Sequence, residues 1–578
     1  MHDFHHMGSL YHPAPIPREA GRAAFVRNFG GPRPVAGWEE NGTRMRYTEC
    51  EAMIAHAPSR KLFFTAIFTV LALALFLRFF ALPSYPPGLY PDEAMNGSNA
   101  LEAIHGGEWK VFYPENNGRE GLFINIQALF LKFFLNFSEY PEPWMLRVPS
   151  ALFGAFTVFG VFFLARELSR KNGKSEKDAF SIGILSAFFV ATSFWHINFS
   201  RIGFRAIMAP FFLTWGAYLL ILSADKIKKS QITNHKSQTN SNNTNSKRRN
   251  FWNLGFGICG LPILAGLVYG LGLHSYIAYR ATPLLMVLVF WWIATRIGWK
   301  SAGKAFLLFG LGAALSALPL AFYFAENPAD FFGRTTQLSV FSSESPIRDL
   351  GINIGKTAQM FFFVGDGNAR HNLPGAPQLF PPIAFLFLYG TVHGVALMCS
   401  RHKVDFMFTF LFAWLIVASL PVVISNEGLP HALRAILMIP AVYIIAGAGA
   451  LQIGKLVTRR AHWKVARAFF AFFFLLVIFN AYYSYFILWG EERNTTNAFS
   501  RDSVIVAKTM NAMPEGVPKY VLVEGGGVDV RGVPMPAQTV MFLTDSFTEN
   551  ERREKNIHYV LPGNEWQIPE GSAKFTIR

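Results

Sequence analysis

Apolar runs of about 20 residues recur along most of the chain, and they restrict its fold more than any other feature. The first run extends from Leu62 to Leu82. Composition agrees, since 51% of the residues are hydrophobic and 16% are charged, whereas a soluble domain carries about 25% charge. The sequence therefore predicts an all-α polytopic membrane protein.

The formal net charge is +16 at pH 7. Integral membrane proteins gather Lys and Arg in their cytoplasmic loops, so topology explains this basic balance and nucleic-acid binding is rejected. The three cysteines, Cys50, Cys259 and Cys399, have neither a disulfide framework nor a metal-ligand spacing.

The position of basic residues also predicts the orientation. Arg60 and Lys61 precede the first run, which places the N-terminus in the cytoplasm. The next run, Leu122 to Phe137, is short and contains Lys132. If it crossed the membrane, the later basic loops would lie outside, against the positive-inside rule. We therefore predict that it is an interfacial helix.

About eleven spans are predicted, with the C-terminus outside. They are 62–82, 147–166, 179–198, 205–223, 253–274, 281–296, 304–324, 380–400, 404–424, 433–453 and 467–489.

Three parts are predicted: a disordered cytoplasmic leader (1–60), a transmembrane catalytic domain (61–489) and a small extracytoplasmic α/β domain (490–578). The leader contains His2, His5 and His6. Because no fixed backbone would support a metal site there, we expect a flexible tail instead. The catalytic domain contains a first outer loop (83–121), a low-complexity cytoplasmic loop (225–250) and a long outer loop (325–379). In the last domain, we expect a helix near 503–513 and strands at 520–523, 540–544 and 557–561.

The most informative polar segment follows the first span. Pro91 suits the first turn of a helix, and Asp92 and Glu93 then lie at the positive end of the helix dipole. Asp92, Asn96 and Asn99 are spaced so that they share one helix face. Helix capping alone would explain these two carboxylates. The surrounding residues must therefore decide between capping and a functional role.

That context is a set of cations at the predicted outer ends of the spans. Any one of them could be a lipid-headgroup anchor, but together they indicate an anion site, because Arg binds phosphate in a bidentate manner. The set comprises Arg119, Arg147, Arg201, Arg205, Arg280, Arg370, Arg434, His274, His371 and His431.

A carboxylate pair beside such cations suits transfer from a lipid-linked phosphate donor. Asp92 and Glu93 are the predicted catalytic residues. The predicted donor-phosphate ligands are Arg119, Arg201, Arg205, His274, Arg280, His431 and Arg434. Further contacts to donor or acceptor are predicted for Asn96, Glu120, Asp366, Arg370 and His371.

Four motifs resemble the GT-C glycosyltransferases, with bacterial relatives of the protein O-mannosyltransferases and the lipid A aminoarabinose transferase nearest. They are Pro91-Asp-Glu93, Arg119-Glu-Gly-Leu122, Arg147-Val-Pro-Ser-Ala-Leu-Phe-Gly154 and Ser200-Arg-Ile-Gly-Phe-Arg205. The resemblance covers roughly residues 60–490. It implies a polyprenyl-phosphate sugar donor, an inverting mechanism and Asp92 at the family's acidic position.

The chain departs from the family pattern at two places. Relatives often carry a second acidic residue after the third span, where this chain has Arg201 and Arg205. They carry Glu-Lys-Pro before the interfacial helix, where this chain has Arg119-Glu120-Gly121. No cofactor is assigned, and a divalent cation and its ligands are left open.

The competing hypothesis is a lipid or solute transporter or flippase without transferase activity. Such proteins place ionisable residues near mid-membrane and often contain inverted repeats, and the sequence shows neither pattern. A purely structural scaffold is a third alternative, against which the carboxylate loop argues. The sequence and this resemblance together predict an inverting glycosyltransferase of the plasma (inner) membrane, and they leave the sugar, the lipid carrier and the acceptor open.

Overall fold

The structure is a computed structural model, which describes residues 59–238, 260–332, 340–400 and 405–578, without the side chains of 229–238. The predicted leader, its histidines, Cys50 and Cys259 lie outside the described residues, apart from Ser59 and Arg60. Cys399 is exposed and free.

Eight helices of the described chain are long and apolar enough to cross a membrane. They are Arg60–Phe79, Pro143–Lys171, Arg205–Lys228, Trp299–Glu326, Pro381–Ser400, Phe406–Val423, Ile436–Arg460 and Trp463–Trp489. A ninth would be the bent pair Glu176–Ala191 and Phe194–Arg201, whose axes differ by 58°. The predicted class, a polytopic helical membrane protein with a small C-terminal α/β region, is confirmed.

Two of the predicted spans, 253–274 and 281–296, correspond to apolar helices of fewer than 18 residues in the described chain. The helices there are Leu261–Leu271, which continues as a 3-10 turn to His274, and Pro283–Ile297. By length and composition, eight or nine helices of the described chain qualify as spans, and these two shorter apolar helices occupy the remaining predicted positions. The helix Met208–Gln238 also continues into the loop predicted at 225–250, of which 239–250 lies outside the described residues.

Basic segments predicted to be cytoplasmic meet at one end of the bundle. Lys455 Nζ lies 2.7 Å from Asp178 Oδ2, and Lys171 pairs with Asp225. Asn172 donates to Asp405 across 2.8 Å, so the segment before the helix Phe406–Val423 lies at this end of the bundle too. These contacts agree with the parity of the predicted topology, because they join four loops at the same end.

The predicted first outer loop lies at the opposite end. Its helix Pro91–Gly106 is followed by a two-stranded sheet, in which Phe112–Tyr113 and Arg119–Glu120 pair antiparallel. The 14-residue helix Gly121–Phe134 comes next, at the position predicted for the interfacial helix. Gln127 Nε2 in its middle donates to Leu146 O at the start of Pro143–Lys171, so this helix lies beside the first turn of that long helix.

The predicted long outer loop contains local helices. They are Pro328–Phe332 and Pro346–Gln359.

The C-terminal region contains a three-stranded parallel sheet. Its central strand, Lys519–Val523, lies between Ile557–Val560 and Ala573–Ile577. The helix Arg501–Asn511 agrees with the prediction, whereas 540–544 is wrong as a strand, because it belongs to the helix Gln538–Leu543. Remaining elements are the helices Arg493–Ala498 and Glu549–Glu554 and the paired strands Asp529–Val530 and Val533–Pro534.

The C-terminal region shares a hydrophobic core with the first outer loop. Phe542 is fully buried in the same cluster as Met95 and Leu101 of Pro91–Gly106. Gly97 permits this contact, since a Cβ there would lie 2.4 Å from the Phe542 ring. Thus the helix that carries Asp92 is held between the bundle and the C-terminal region.

Phe542→Ala should destabilise the protein by about 3 to 5 kcal/mol, because it leaves a cavity in this shared core. We expect a lower melting temperature of the purified protein in detergent. Ile505→Ala is the matched control, since Ile505 is 56% exposed and should change the melting temperature little. Equal melting temperatures for the two variants would contradict the shared core.

Candidate functional site

A cavity of about 1020 Å³ opens at the end of the bundle where the first outer loop lies. Its wall comes from the first outer loop and from segments 204–206, 276–281, 366–371 and 420–434. The predicted site residues in the wall are Asp92, Asn96, Arg119, Arg205, Arg280, Asp366, Arg370, His371, His431 and Arg434.

Asp92 lies in the first turn of its helix, behind Pro91, as predicted. Its Oδ1 accepts a hydrogen bond of 2.6 Å from Asn116 Nδ2. Asn116 and Asn117 have positive φ values of 51° and 63°, a conformation that Asn tolerates better than most residues. The turn after the first strand therefore orients the carboxylate at the cavity wall.

Glu93, the neighbour of Asp92, faces the protein interior instead. Its carboxylate is fully buried, and its Oε1 accepts from Arg147 Nε across 2.8 Å. The same oxygen accepts from the Gly203 N–H at 2.8 Å. Glu93 is absent from the cavity wall as the described residues form it, and its contacts indicate a structural role instead of the predicted catalytic one.

Arg119 is a buried cation, 4% exposed. Its Nη atoms donate to Asn96 Oδ1 at 2.7 Å and to Asn99 Oδ1 at 2.5 Å. Its Nε has no hydrogen-bond partner, and no carboxylate of the described chain lies within ion-pair distance. Burial, and secondarily the charge of Arg205, lowers the pKa of Arg119 to about 10, so it remains charged at pH 7.

Glu120 lies behind two further cations. Its carboxylate is 2.7 Å from Arg205 Nε and 3.8 Å from Arg280 Nη2. Arg280 also packs over the Phe331 ring, 4.3 Å from its centroid. Glu120 is not itself in the cavity wall, and its carboxylate orients the two guanidinium groups that are.

Asp366, His371 and His431 form a compact group on another side of the cavity. Asp366 Oδ2 is 3.0 Å from His371 Nδ1 and 3.9 Å from His431 Nδ1. Burial opposes ionisation of Asp366, but hydrogen bonds from His371 and from two backbone N–H groups lower its pKa overall. Burial, reinforced by nearby positive charges, lowers the pKa of His431.

Two arginines flank this group. Arg370 lies over the ring of Tyr90, 4.2 Å from its centroid, and so joins the long outer loop to the first one. Arg434 donates to Ser425 and, across 2.8 Å, to Glu427 Oε2. Burial, followed by the charge of Asp92, raises the pKa of Tyr90 to about 12.

The structure places two other predicted ligands away from the cavity. Arg201 is fully buried, and its guanidinium donates to the carbonyls of Leu77, Phe80 and Tyr85. His274 Nε2 lies 2.9 Å from Ser316 O, within hydrogen-bond distance. In both cases the polar side-chain atoms contact carbonyl groups of neighbouring segments.

Sequence reasoning missed six polar residues of the cavity wall: Tyr90, Asn116, Tyr276, Asn368, Ser425 and Glu427. The Asn116-Asn117-Gly118 run is a turn signal that could have identified the first loop's contact to Asp92. No comparable signal marks Glu427, whose role depends on the fold of the loop around Arg434.

Glu93→Gln should destabilise the protein by about 3 to 5 kcal/mol, because it leaves the Arg147 charge buried without an anion. Asp92→Asn is the matched control, since it removes a carboxylate one residue away that forms no ion pair in the described chain. Thermal melting in detergent would compare the two variants. A Glu93→Gln protein as stable as Asp92→Asn would disprove the structural role.

Comparison with known proteins identifies similar solved structures, whereas no family model and no curated protein matches the chain. The Archaeoglobus fulgidus oligosaccharyltransferase, in complex with Zn and sulfate, is 14% identical with a TM-score of 0.45; the match covers 86% of this chain and 62% of that one. This chain thus spans less than two thirds of that enzyme.

ArnT from Cupriavidus metallidurans, bound to undecaprenyl phosphate, is 13% identical with a TM-score of 0.45, over 86% of this chain and 89% of that chain. Its apo form is 12% identical with a TM-score of 0.46, over 86% and 84%.

Proposed function

We propose that the protein is an inverting glycosyltransferase that moves a sugar from a polyprenyl-phosphate-linked donor to an acceptor at the outer face of the membrane. The observation that carries this proposal is Arg119, a buried guanidinium without a carboxylate partner among the described residues, at the wall of a large cavity. A desolvated cation of this kind is stabilised by an anionic ligand.

Neighbouring cations support a phosphate as that anion. Arg205, Arg280, Arg370 and Arg434 belong to the same wall as Arg119. Glu120 and Glu427 offset part of their charge, while Arg119 has only amide partners for its Nη atoms. The wall therefore offers guanidinium donors that suit the developing charge of a leaving phosphate.

A lipid carrier is supported by the apolar portion of the same wall. Leu420, Pro421 and Ile424, around the end of Phe406–Val423, line the cavity together with Leu433. An apolar surface next to the arginines suits the first isoprene units of a polyprenyl phosphate. A soluble nucleotide sugar has no lipid chain that would contact this apolar surface.

In the proposed reaction, an acceptor hydroxyl oxygen attacks the anomeric carbon of the donor sugar. The bond from that carbon to the phosphate oxygen breaks, and its electron pair stays on the polyprenyl phosphate. Asp92 accepts the hydroxyl proton, late in the step, when the hydroxyl is already becoming acidic. Attack opposite to the leaving phosphate inverts the anomeric centre.

The proposed orientation follows from the same geometry. Arg147 and Arg166 lie near opposite ends of Pro143–Lys171, roughly 28 Å apart at 1.5 Å per residue, which is about one hydrocarbon thickness. The Arg166 end joins the basic loops and should be cytoplasmic. In this orientation, the cavity lies on the extracytoplasmic side of the plasma (inner) membrane. The first outer loop and the C-terminal region lie on the same side.

Asp92→Asn should reduce sugar transfer by about 10²- to 10⁴-fold, because it removes the proposed base while keeping the shape of the side chain. Transfer would be measured with purified protein in nanodiscs, by mass spectrometry of a panel of polyprenyl-phosphate sugars and acceptors. Glu108→Gln is the matched control, since Glu108 belongs to the same loop and its side chain is 74% exposed.

Normal transfer by Asp92→Asn would exclude Asp92 as the base. If the wild-type protein consumed no donor but moved polyprenyl-phosphate lipids between leaflets, the transporter hypothesis would replace the proposal.

A further inference from the structure

We propose that Asp366, His371 and His431 bind a divalent transition-metal ion of the zinc type at the cavity wall. Asp366 Oδ2 lies 3.0 Å from His371 Nδ1 and 3.9 Å from His431 Nδ1, and the three ligand atoms all lie within 4.8 Å of one another. All three residues line the cavity. The site deepens the proposed function, but metal binding can be measured without it.

The donor set selects the class of ion. Two imidazole nitrogens and one carboxylate oxygen suit zinc and its neighbours better than magnesium or calcium, which prefer oxygen ligands. Donor atoms at about 2.0 to 2.1 Å from a tetrahedral zinc stand roughly 3.3 Å apart. The observed separations of 3.0 and 3.9 Å bracket this spacing, so small side-chain movements would complete the site.

The backbone around Asp366 holds it in position. Its Oδ1 accepts from the Asn368 N–H and its Oδ2 from the Ala432 N–H, both at 2.8 Å. These bonds join the long outer loop to the segment that carries His431. The carboxylate therefore lies between the two imidazoles through contacts that do not involve either ring, as a preformed site requires.

Metal binding would replace one hydrogen bond of this group. Asp366 Oδ2 and His371 Nδ1 are within hydrogen-bond distance of each other, and only one of these atoms can donate. An ion bound by both would replace that shared proton, and a neutral His371 would then carry its ring proton on Nε2 instead of Nδ1. The contact between the Arg434 N–H and His431 Nδ1, long at 3.4 Å, would also be lost.

Three protein ligands leave a fourth position, typical of zinc sites that bind a substrate or water. The nearby guanidinium groups of Arg370 and Arg434 line the cavity too, and their positive charge opposes binding of the bare cation. An anion in the fourth position would offset this repulsion. We therefore expect zinc and a phosphate monoester to increase each other's affinity.

A second group of potential ligands provides an internal control. His105, Asp545 and Glu551 also lie within ligand distance of one another, but the His105 side chain is 46% exposed. Glu551 completes a capping box with Thr548, and Asp545 pairs with Lys555. Those carboxylates have other partners and the group lies outside the cavity wall, so its zinc affinity should be lower.

The test is zinc titration of the chelator-treated full chain in detergent, by calorimetry and by metal analysis after gel filtration. We expect one tightly bound zinc per chain, binding weakened more than tenfold by His431→Ala, and unchanged binding in His105→Ala. Methyl phosphate should tighten zinc binding to the wild type. Melting temperatures of the metal-free variants would show that each is folded.

Asp366→Asn keeps the shape of the side chain and should weaken zinc binding as His431→Ala does. The proposal is overturned if the wild type binds no zinc, or if His431→Ala and Asp366→Asn both bind it as tightly as the wild type. It is also overturned if His105→Ala alone abolishes binding. None of these outcomes depends on sugar transfer, so failure of the metal site and failure of the proposed transferase function are distinguishable.

Discussion

The candidate site depends on the buried ion pair between Glu93 and Arg147. Both side chains are fully buried, and Arg147 also donates to Pro86 O and Gly88 O of the first outer loop. Glu93 accepts the Gly203 N–H from a third segment. One charge pair thus fixes the first outer loop, the start of a long span and the turn before Arg205 relative to one another. Desolvating two charges costs free energy, and removing one partner of a buried pair destabilises a protein strongly. The loop that presents Asp92 therefore has little freedom to move away from Arg147.

The C-terminal region supports that loop without lining the cavity, as far as the described residues show. Arg531 pairs with Glu102 at the end of the Asp92 helix and with Glu115 in the next turn. Glu115 precedes Asn116, which holds the Asp92 carboxylate. The shared hydrophobic core acts on the other face of the same helix. The region therefore stabilises the geometry of the proposed base, and acceptor contacts are better sought in the long outer loop, where Asp366 and Arg370 reach the cavity.

Charge sidedness explains why much of the site could be predicted from the sequence. Arg205, Arg280 and Arg434 stand at ends of apolar runs, where a charge is either functional or anchoring, and all three line the cavity. Glu93 was predicted to be catalytic because it follows Asp92, and Arg201 was predicted to bind phosphate because it lies at the predicted outer end of a span. Successive helical residues point in different directions, however, and both side chains face the interior. The 540–544 run was misjudged because a short buried apolar segment has the same pattern in a helix and in a strand.

The proposed function requires that the cavity bind a lipid phosphate through Arg119, a guanidinium with no carboxylate partner among the described residues. The most direct measurement is the affinity of the purified protein for a polyprenyl phosphate and for the polyprenol of the same length. The phosphate should bind at least about tenfold more tightly, and Arg119→Ala should remove most of that difference, since a charge-assisted hydrogen bond contributes about 1.5 to 3 kcal/mol. The control is Arg553→Ala, because Arg553 is exposed and does not line the cavity. This variant should keep the difference in affinity between the two lipids. Equal affinity of the wild type for polyprenol and polyprenyl phosphate would contradict the account.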